Sequence, residues 1–249
     1  MFDAAVHAYL RSIAGEGARR AGPFTVRFDE HDDALPFNYA VPDDDVAPAP
    51  AEVGALITLF HEHARVPRLE YVPQAAPKVE AAVTAAGFET EGRYPLLVCT
   101  PEAVQSAQVD PAIEVAPVTT DEGLWQAARV MNAAFDAPDA TEHDVARMRR
   151  ILGLGGVVAV ATDTTTGTPV GAGQIGGPHE GVAEVAGIAV ATSHRRRGIA
   201  GAVTALLTRA GAANGITTAF LTPADDRAGR VYARVGYHKA GEMLHTSLR

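Results

Sequence analysis

Residues 182–203 read VAEVAGIAVATSHRRRGIAGAV, and their order says more about the fold than any other stretch of the chain. VAEVAGIAV is an apolar, β-branched run that reads as a strand ending at Val190. A short loop follows with His194, Arg195, Arg196 and Arg197. Gly198 then opens a helix over 198–213, with Ala200, Val203, Leu206, Leu207 and Ala210 at helical spacing. The first amides of a helix have no intrahelical acceptor, and the helix dipole puts roughly half a positive charge beside them. A diphosphate suits that place. Gly198 lets main chain approach phosphate oxygens with no Cβ in the way, Ala200 and Gly201 keep the first turn open, and arginines add charge-assisted hydrogen bonds. Three arginines alone are an ordinary solvated basic run. The strand before them, the glycine and the helix after them argue for a phosphate loop.

Downstream, a strand is expected at 217–221, a helix at 227–235 closed by Gly236, and a hairpin or bent strand at 237–247. Upstream, strands are expected at 113–118, 157–161 and 170–175, and helices at 120–135 and 141–152. The first hundred residues read as helix 2–13, strand 24–28, a proline-rich acidic loop over 41–50, helix 51–64, strand 68–72, helix 75–86 and strand 88–98. RLEYVPQAAPKVEAAVTAAGF (68–88) echoes TTAFLTPADDRAGRVYARVGY (217–237). Both place strand, proline, helix and Gly-aromatic in the same order, which two copies of one unit explain most simply.

The chain has 249 residues, so at roughly 150 residues per domain it holds one large or two small domains. Hydrophobic residues make up 47% and charged residues 20%, which excludes wholesale disorder. No apolar run approaches the ~18 residues of a membrane span, and the first twenty residues do not read as a signal peptide. Cys99 is the single cysteine, so no intrachain disulfide can form and a reducing cytoplasm is the expected compartment. The formal charge of −9 argues against general nucleic-acid binding and mildly favours cationic or neutral ligands. No metal site is expected. His61 and His63 diverge on their helix, and Asp43–Asp45 reads as a solvated loop.

Arg195-x-x-Gly198-x-Ala200 resembles the acyl-CoA loop of the GNAT superfamily of N-acetyltransferases. Val190 lies eight positions before Gly198, a spacing similar to that family's strand end. Asp225-x-x-Ala228-x-x-Val231-Tyr232-x-x-x-Gly236-Tyr237 resembles the family's second signature, with Asp225 in place of its usual Asn and Tyr237 in place of Phe. The resemblance covers about residues 112–249. It implies an α/β fold of the mixed α+β kind, in two GNAT-like lobes, each a mostly antiparallel mixed sheet flanked by helices. Residues 1–100 would be a degenerate lobe, 101–111 a connector and 112–249 the catalytic domain. It also implies acetyl-CoA as cosubstrate. Ile188, Ala189 and Val190 would meet the pantetheine arm, Arg195, Arg196, Arg197, Gly198, Ile199, Ala200 and Gly201 the pyrophosphate, and Asp225 a further part of the coenzyme. A strand bulge is expected at Gly187.

The expected chemistry is direct acetyl transfer to a primary amine of a small molecule or peptide. Glu184 is the candidate base and Tyr232 the candidate acid at the thiolate, with His179 and Glu180 as reserve bases. Period-2 geometry puts Glu184 on the face of Ile188 and Val190 unless a bulge intervenes. The acidic DDDVAPAP segment before the helix at 51–64 would repel a diphosphate, so no second phosphate loop is expected. The first lobe would shape the acceptor pocket or stand in for a dimer mate, making the protein a pseudo-dimeric monomer or a homodimer. The alternatives are transfer of a longer acyl chain and a non-catalytic acyl-CoA-binding regulatory module.

Overall fold

A computed structural model describes residues 2–13 and 17–249. In chain order the elements are α1 (Phe2–Ser12), β1 (Arg19–Ala21), β2 (Phe24–Arg27), β3 (Tyr39–Pro42), α2 (Pro50–Glu62), β4 (Arg68–Tyr71), α3 (Val79–Ala85) and β5 (Glu89–Cys99). There follow β6 (Ile113–Val118), α4 (Asp121–Ala134), α5 (Glu142–Gly153), β7 (Val157–Asp163), β8 (Thr168–Ile175) and β9 (Val182–Val190). The chain ends with α6 (Ile199–Gly211), β10 (Thr218–Leu221), α7 (Asp226–Val235) and β11 (His238–Ser247). They form two compact units. One holds residues 1–96 and 240–249, the other 97–239.

The first unit is a mixed sheet. β1 pairs β2 and β2 pairs β3, both antiparallel. β3 runs parallel to β4 through Ala40 and Leu69, and β4 pairs antiparallel with β11 from Tyr71–Leu244 to Arg68–Ser247. The second unit follows the same order with one more antiparallel strand at its start. β6, β7, β8 and β9 are antiparallel neighbours. β9 runs parallel to β10, and β10 pairs antiparallel with the end of β5 through Leu97–Cys99. In each unit a helix joins the two parallel strands, α2 in the first and α6 in the second.

Those strand pairings explain where the observed division differs from the expected one. Residues 244–247 complete the sheet of the first unit, and residues 97–99 that of the second, so 97–111 fall with the second unit and 240–249 with the first. The final segment is one strand and not a hairpin. The strands at 19–21 and 39–42 stand where no strand was expected, and the second of them intrudes into the expected 41–50 loop. α3 starts at Val79, later than expected, because turns occupy the residues around Pro77.

Local chemistry fixes the helices of the second unit. Thr120 Oγ1 accepts from the Gly123 amide at 3.2 Å to start α4. Asp144 Oδ2 accepts from the Thr141 amide at 2.8 Å at the start of α5. Asp225 Oδ1 accepts from the Ala228 amide at 2.7 Å, and α7 ends on left-handed Gly236. α4 and α5 cover one face of the sheet, burying Leu124, Ala127, Met131, Val145 and Met148 against Val158, Val160, Ala172 and Ala189. α6 covers the other face with Ile199, Val203 and Leu207, and α7 packs on α6.

Leu124 is 1% exposed within that cluster. Leu124→Ala is expected to cost about 2–5 kcal/mol of unfolding free energy, from lost transfer energy and the cavity left behind. Denaturant titration measures it. A cost below 1 kcal/mol would mean that α4 does not seal this core.

Candidate active site

β9 and β10 run together only from Val182–Thr218 to Glu184–Phe220. β10 ends one residue later, while β9 continues to Val190 with β8 as its partner. The edge of β9 toward β10 is therefore left open from Val185 to Val190 among the described residues. Main-chain N–H and C=O groups on such an edge can receive an extended amide-bearing chain as a strand would. Ile188, Ala189 and Val190 all lie on this edge.

Within the same strand one residue of β8, Gly173, faces two of β9, Gly187 and Ile188, since Ala172 pairs Ala189 and Gln174 pairs Ala186. The extra residue is a bulge, centred on Gly187 at φ +64°. The bulge reverses the sidedness that strict alternation gives. Ala186 shares a face with Gln174, so Glu184, two residues before it, belongs to the face covered by α4. Ile188 is turned the other way: a Cβ added at Gly173 would lie 2.5 Å from its Cδ1 and 2.8 Å from Val203 of α6. Glu184 and Ile188 thus flank the strand from opposite sides, and the face expected from unbroken period 2 is corrected.

Beyond Val190 the chain makes a 3-10 turn at Thr192–His194, sets Arg196 at φ +68° and Gly198 at φ +81°, and enters α6. The first α-helical hydrogen bond there runs from the Ala202 amide to the Gly198 carbonyl at 3.0 Å. The amides of Ile199, Ala200 and Gly201 precede it and point out of the helix end. Glycine at 198 has a steric reason as well as a conformational one. A Cβ there would lie 2.0 Å from the Gln108 carbonyl oxygen.

The three arginines differ. Arg195 and Arg196 are exposed. Arg197 is tied down: its Nε donates to Asp110 Oδ2 at 2.9 Å and its Nη1 to Asp163 Oδ2 at 3.0 Å. His194 Nε2 reaches the same Asp163 oxygen at 3.2 Å. The Thr165 hydroxyl and amide, with Arg197, hold the buried Asp163 carboxyl well below the usual carboxylate range. Arg197 and the Ala112 amide lower Asp110 likewise. Neither aspartate stood out in the sequence, because nothing local marks a carboxylate 34 or 87 positions from its arginine.

On α7 the Asp225 side chain is spent on the helix start. Tyr232 is half-buried, and burial, aided by Asp225, pushes its hydroxyl up to about 12, so it stays protonated at neutral pH. Its ring lies 6.3 Å from that of Tyr237, whose hydroxyl meets Thr208 Oγ1 at 2.7 Å in the core. His179 and Glu180 form the tight turn that starts β9, with Glu180 at φ +49°. A cleft of about 490 Å³, unmarked in the sequence, runs beside α4 past Arg129, Val130, Pro169, Ala191 and Thr192.

The first unit treats its matching helix start differently. Pro50 opens α2, and Glu52 Oε2 accepts from the Ala49 amide at 2.7 Å. The chain's own carboxylate lies at this helix start. Asp43 is paired with Arg20 and Asp44 with Arg11. No group of metal-ligating side chains occurs among the described residues.

Residues 125–237 match the model of the acetyltransferase (GNAT) family. Among solved structures, a GCN5-related N-acetyltransferase from Kribbella flavida superposes with a TM-score of 0.79 at 24% identity, over 98% of this chain and 93% of that one. A tandem GNAT protein from the clavulanic acid biosynthesis pathway gives 0.59 at 15% identity, over 92% and 80%. A GCN5-related N-acetyltransferase from Sphaerobacter thermophilus gives 0.58 at 17% identity, over 74% and 60%. At these identities the likeness speaks for the fold. A comparison with curated proteins found no match.

Asp163 gives the site an acid dependence. Its pKa is depressed in the folded state, so its contribution to stability is full above the ordinary aspartate value of about 3.9 and is lost as pH falls through the lower folded value. Asp163→Asn is expected to melt below the unaltered protein at pH 7, with the gap constant down to about pH 4 and narrowing below it. Melting curves across that range measure it, and a gap independent of pH would remove the carboxylate's charge as the cause.

Proposed function

We propose that this chain, whose residues 125–237 match the acetyltransferase (GNAT) family model, transfers an acetyl group from acetyl-CoA directly to a primary amine. One observation carries this reading: the edge of β9 opens from β10 after Glu184 and leads without a break into the glycine-led start of α6. An extended pantetheine chain suits the first part and a diphosphate the second. Main-chain groups of Ile188, Ala189 and Val190 would hold the amide-bearing arm. Amides from Arg196 to Gly201 would hold the phosphates, with Arg195 and Arg196 adding charge. Asp225 would act through the start of α7.

When bound, acetyl-CoA supplies an activated thioester. The residues around it face two proton problems. An alkyl ammonium of pKa about 10.4 is deprotonated about once in 2,500 molecules at pH 7, a penalty of about 4.6 kcal/mol. Glu184, at the last paired position before the opening, would take that proton directly or through water. The departing sulfur then needs a donor, and the protonated Tyr232 hydroxyl is suited to it. In this reading Glu184 serves the amine and Tyr232 serves the thiolate. The lone Cys99 is buried, and burial raises its thiol, so an acyl-cysteine intermediate is not part of this reading. The first unit, whose own helix start is closed by Glu52, would be a degenerate copy without a diphosphate site.

Calorimetry with CoA and thiol release from acetyl-CoA over a panel of amines test the reading together. Arg195→Ala should weaken CoA binding. Tyr232→Phe and Glu184→Gln should keep binding and lower turnover by roughly 10²-fold or more. Binding without turnover on any amine would favour a regulatory acyl-CoA module, and unchanged rates in both variants would remove the assigned roles.

A further inference from the structure

Of the three consecutive arginines, the one nearest the glycine is already occupied by the protein, and the group that occupies it also grips the far side of the loop. Asp163 Oδ2 lies 3.0 Å from Arg197 Nη1 and 3.2 Å from His194 Nε2. Its other oxygen takes the Thr165 amide at 2.9 Å and the Thr165 hydroxyl at 2.6 Å. One buried carboxylate at the end of β7 therefore fixes the residues immediately before and after the Arg195–Arg196 pair. Asp110 holds the same point a second way. Its side chain meets Arg197 Nε at 2.9 Å, and its amide donates to the Arg197 carbonyl at 3.0 Å.

Resting on the reading of this loop as the diphosphate site, we infer that Asp163 is a positioning residue for coenzyme binding, acting through Arg197 and His194, and that Arg197 is a strut and not a phosphate ligand. The segment it spans needs support. Arg196 is held at φ +68° without being glycine, a conformation that persists only where the surroundings impose it. With both ends of the segment anchored, its amides and the two exposed guanidinium groups are arranged before the ligand arrives, and the ordering cost of binding falls.

The sign of one substitution separates positioning from simple charge. Removing a negative charge beside an anion site should strengthen CoA binding if charge is all that Asp163 contributes. Positioning demands the opposite. CoA titrations by calorimetry on the full chain are expected to show about a tenfold loss of affinity for Asp163→Asn. Arg197→Met should show a similar loss, and the double variant clearly less than the sum of the two, because both remove the Asp163–Arg197 contact. The dependence of affinity on salt should keep its slope in these variants and become shallower in Arg195→Ala, which deletes a phosphate contact. If Asp163→Asn fails to fold by circular dichroism, Arg197→Met alone carries the comparison, with Arg197→Lys expected to recover part of the loss. Binding equal to or tighter than that of the unaltered protein in Asp163→Asn or Arg197→Met, or additive losses in the double variant, overturns the inference and leaves the function standing. Failure of the unaltered protein to bind CoA overturns both.

Discussion

The second unit is organised around a parallel pairing that stops early. β9 and β10 share three residue pairs and then part. Main-chain donors and acceptors left inside a protein without partners are costly, so an open edge from Val185 to Val190 needs solvent or a ligand along it. The bulge at Gly187 works with the opening. One extra residue alters the strand's local twist and moves side chains between faces. It sends Glu184 toward α4 while Ile188 keeps to the α6 side. A strictly alternating strand would crowd both onto one face and leave the other with no titratable group at the point of divergence.

The two units repeat one connectivity with opposite outcomes at the same place. In each, a helix joins two parallel strands, a second helix ending on left-handed glycine follows (Gly87 after α3, Gly236 after α7), and an antiparallel strand closes the order. The difference lies at the start of the joining helix. Gly198 and the small residues after it leave helix amides bare. Pro50 lacks an amide, and Glu52 places a carboxylate on the amide of Ala49. A helix N-terminus attracts whatever anion is nearest, and in the first unit the chain itself supplies it.

Much of this was legible in the sequence, because the signals were local. Period-2 alternation, the glycine after the arginine run and the Gly236 that closes α7 each act within a few residues, and β6 and β9 have the bounds their sequences predict. Short strands were not legible. RRA at 19–21 is too brief to show a period, and YAVP at 39–42 carries a proline that reads as loop. Sidedness at Glu184 was legible only in part. The glycine that permits a bulge is visible, but whether the extra residue falls before or after it depends on register with β8. The homes of residues 97–99 and 244–247 were hidden for the same reason, since strand pairing across the chain has no local mark.

The arginine run shows most plainly how far a sequence argument reaches. Charge and position assign all three residues to an anion. The folded chain divides them, because a buried carboxylate needs partners more than an exposed one does. Asp163 lies within reach of His194 and Arg197 and holds them. Arg195 and Arg196 stay exposed. The buried Asp163 and the part-exposed Asp110 together claim one arginine, and the other two stay at the surface. A loop built this way has its geometry set by acids outside it, so a basic signature is better weighed by the carboxylates the fold brings to it than by the number of its positive residues.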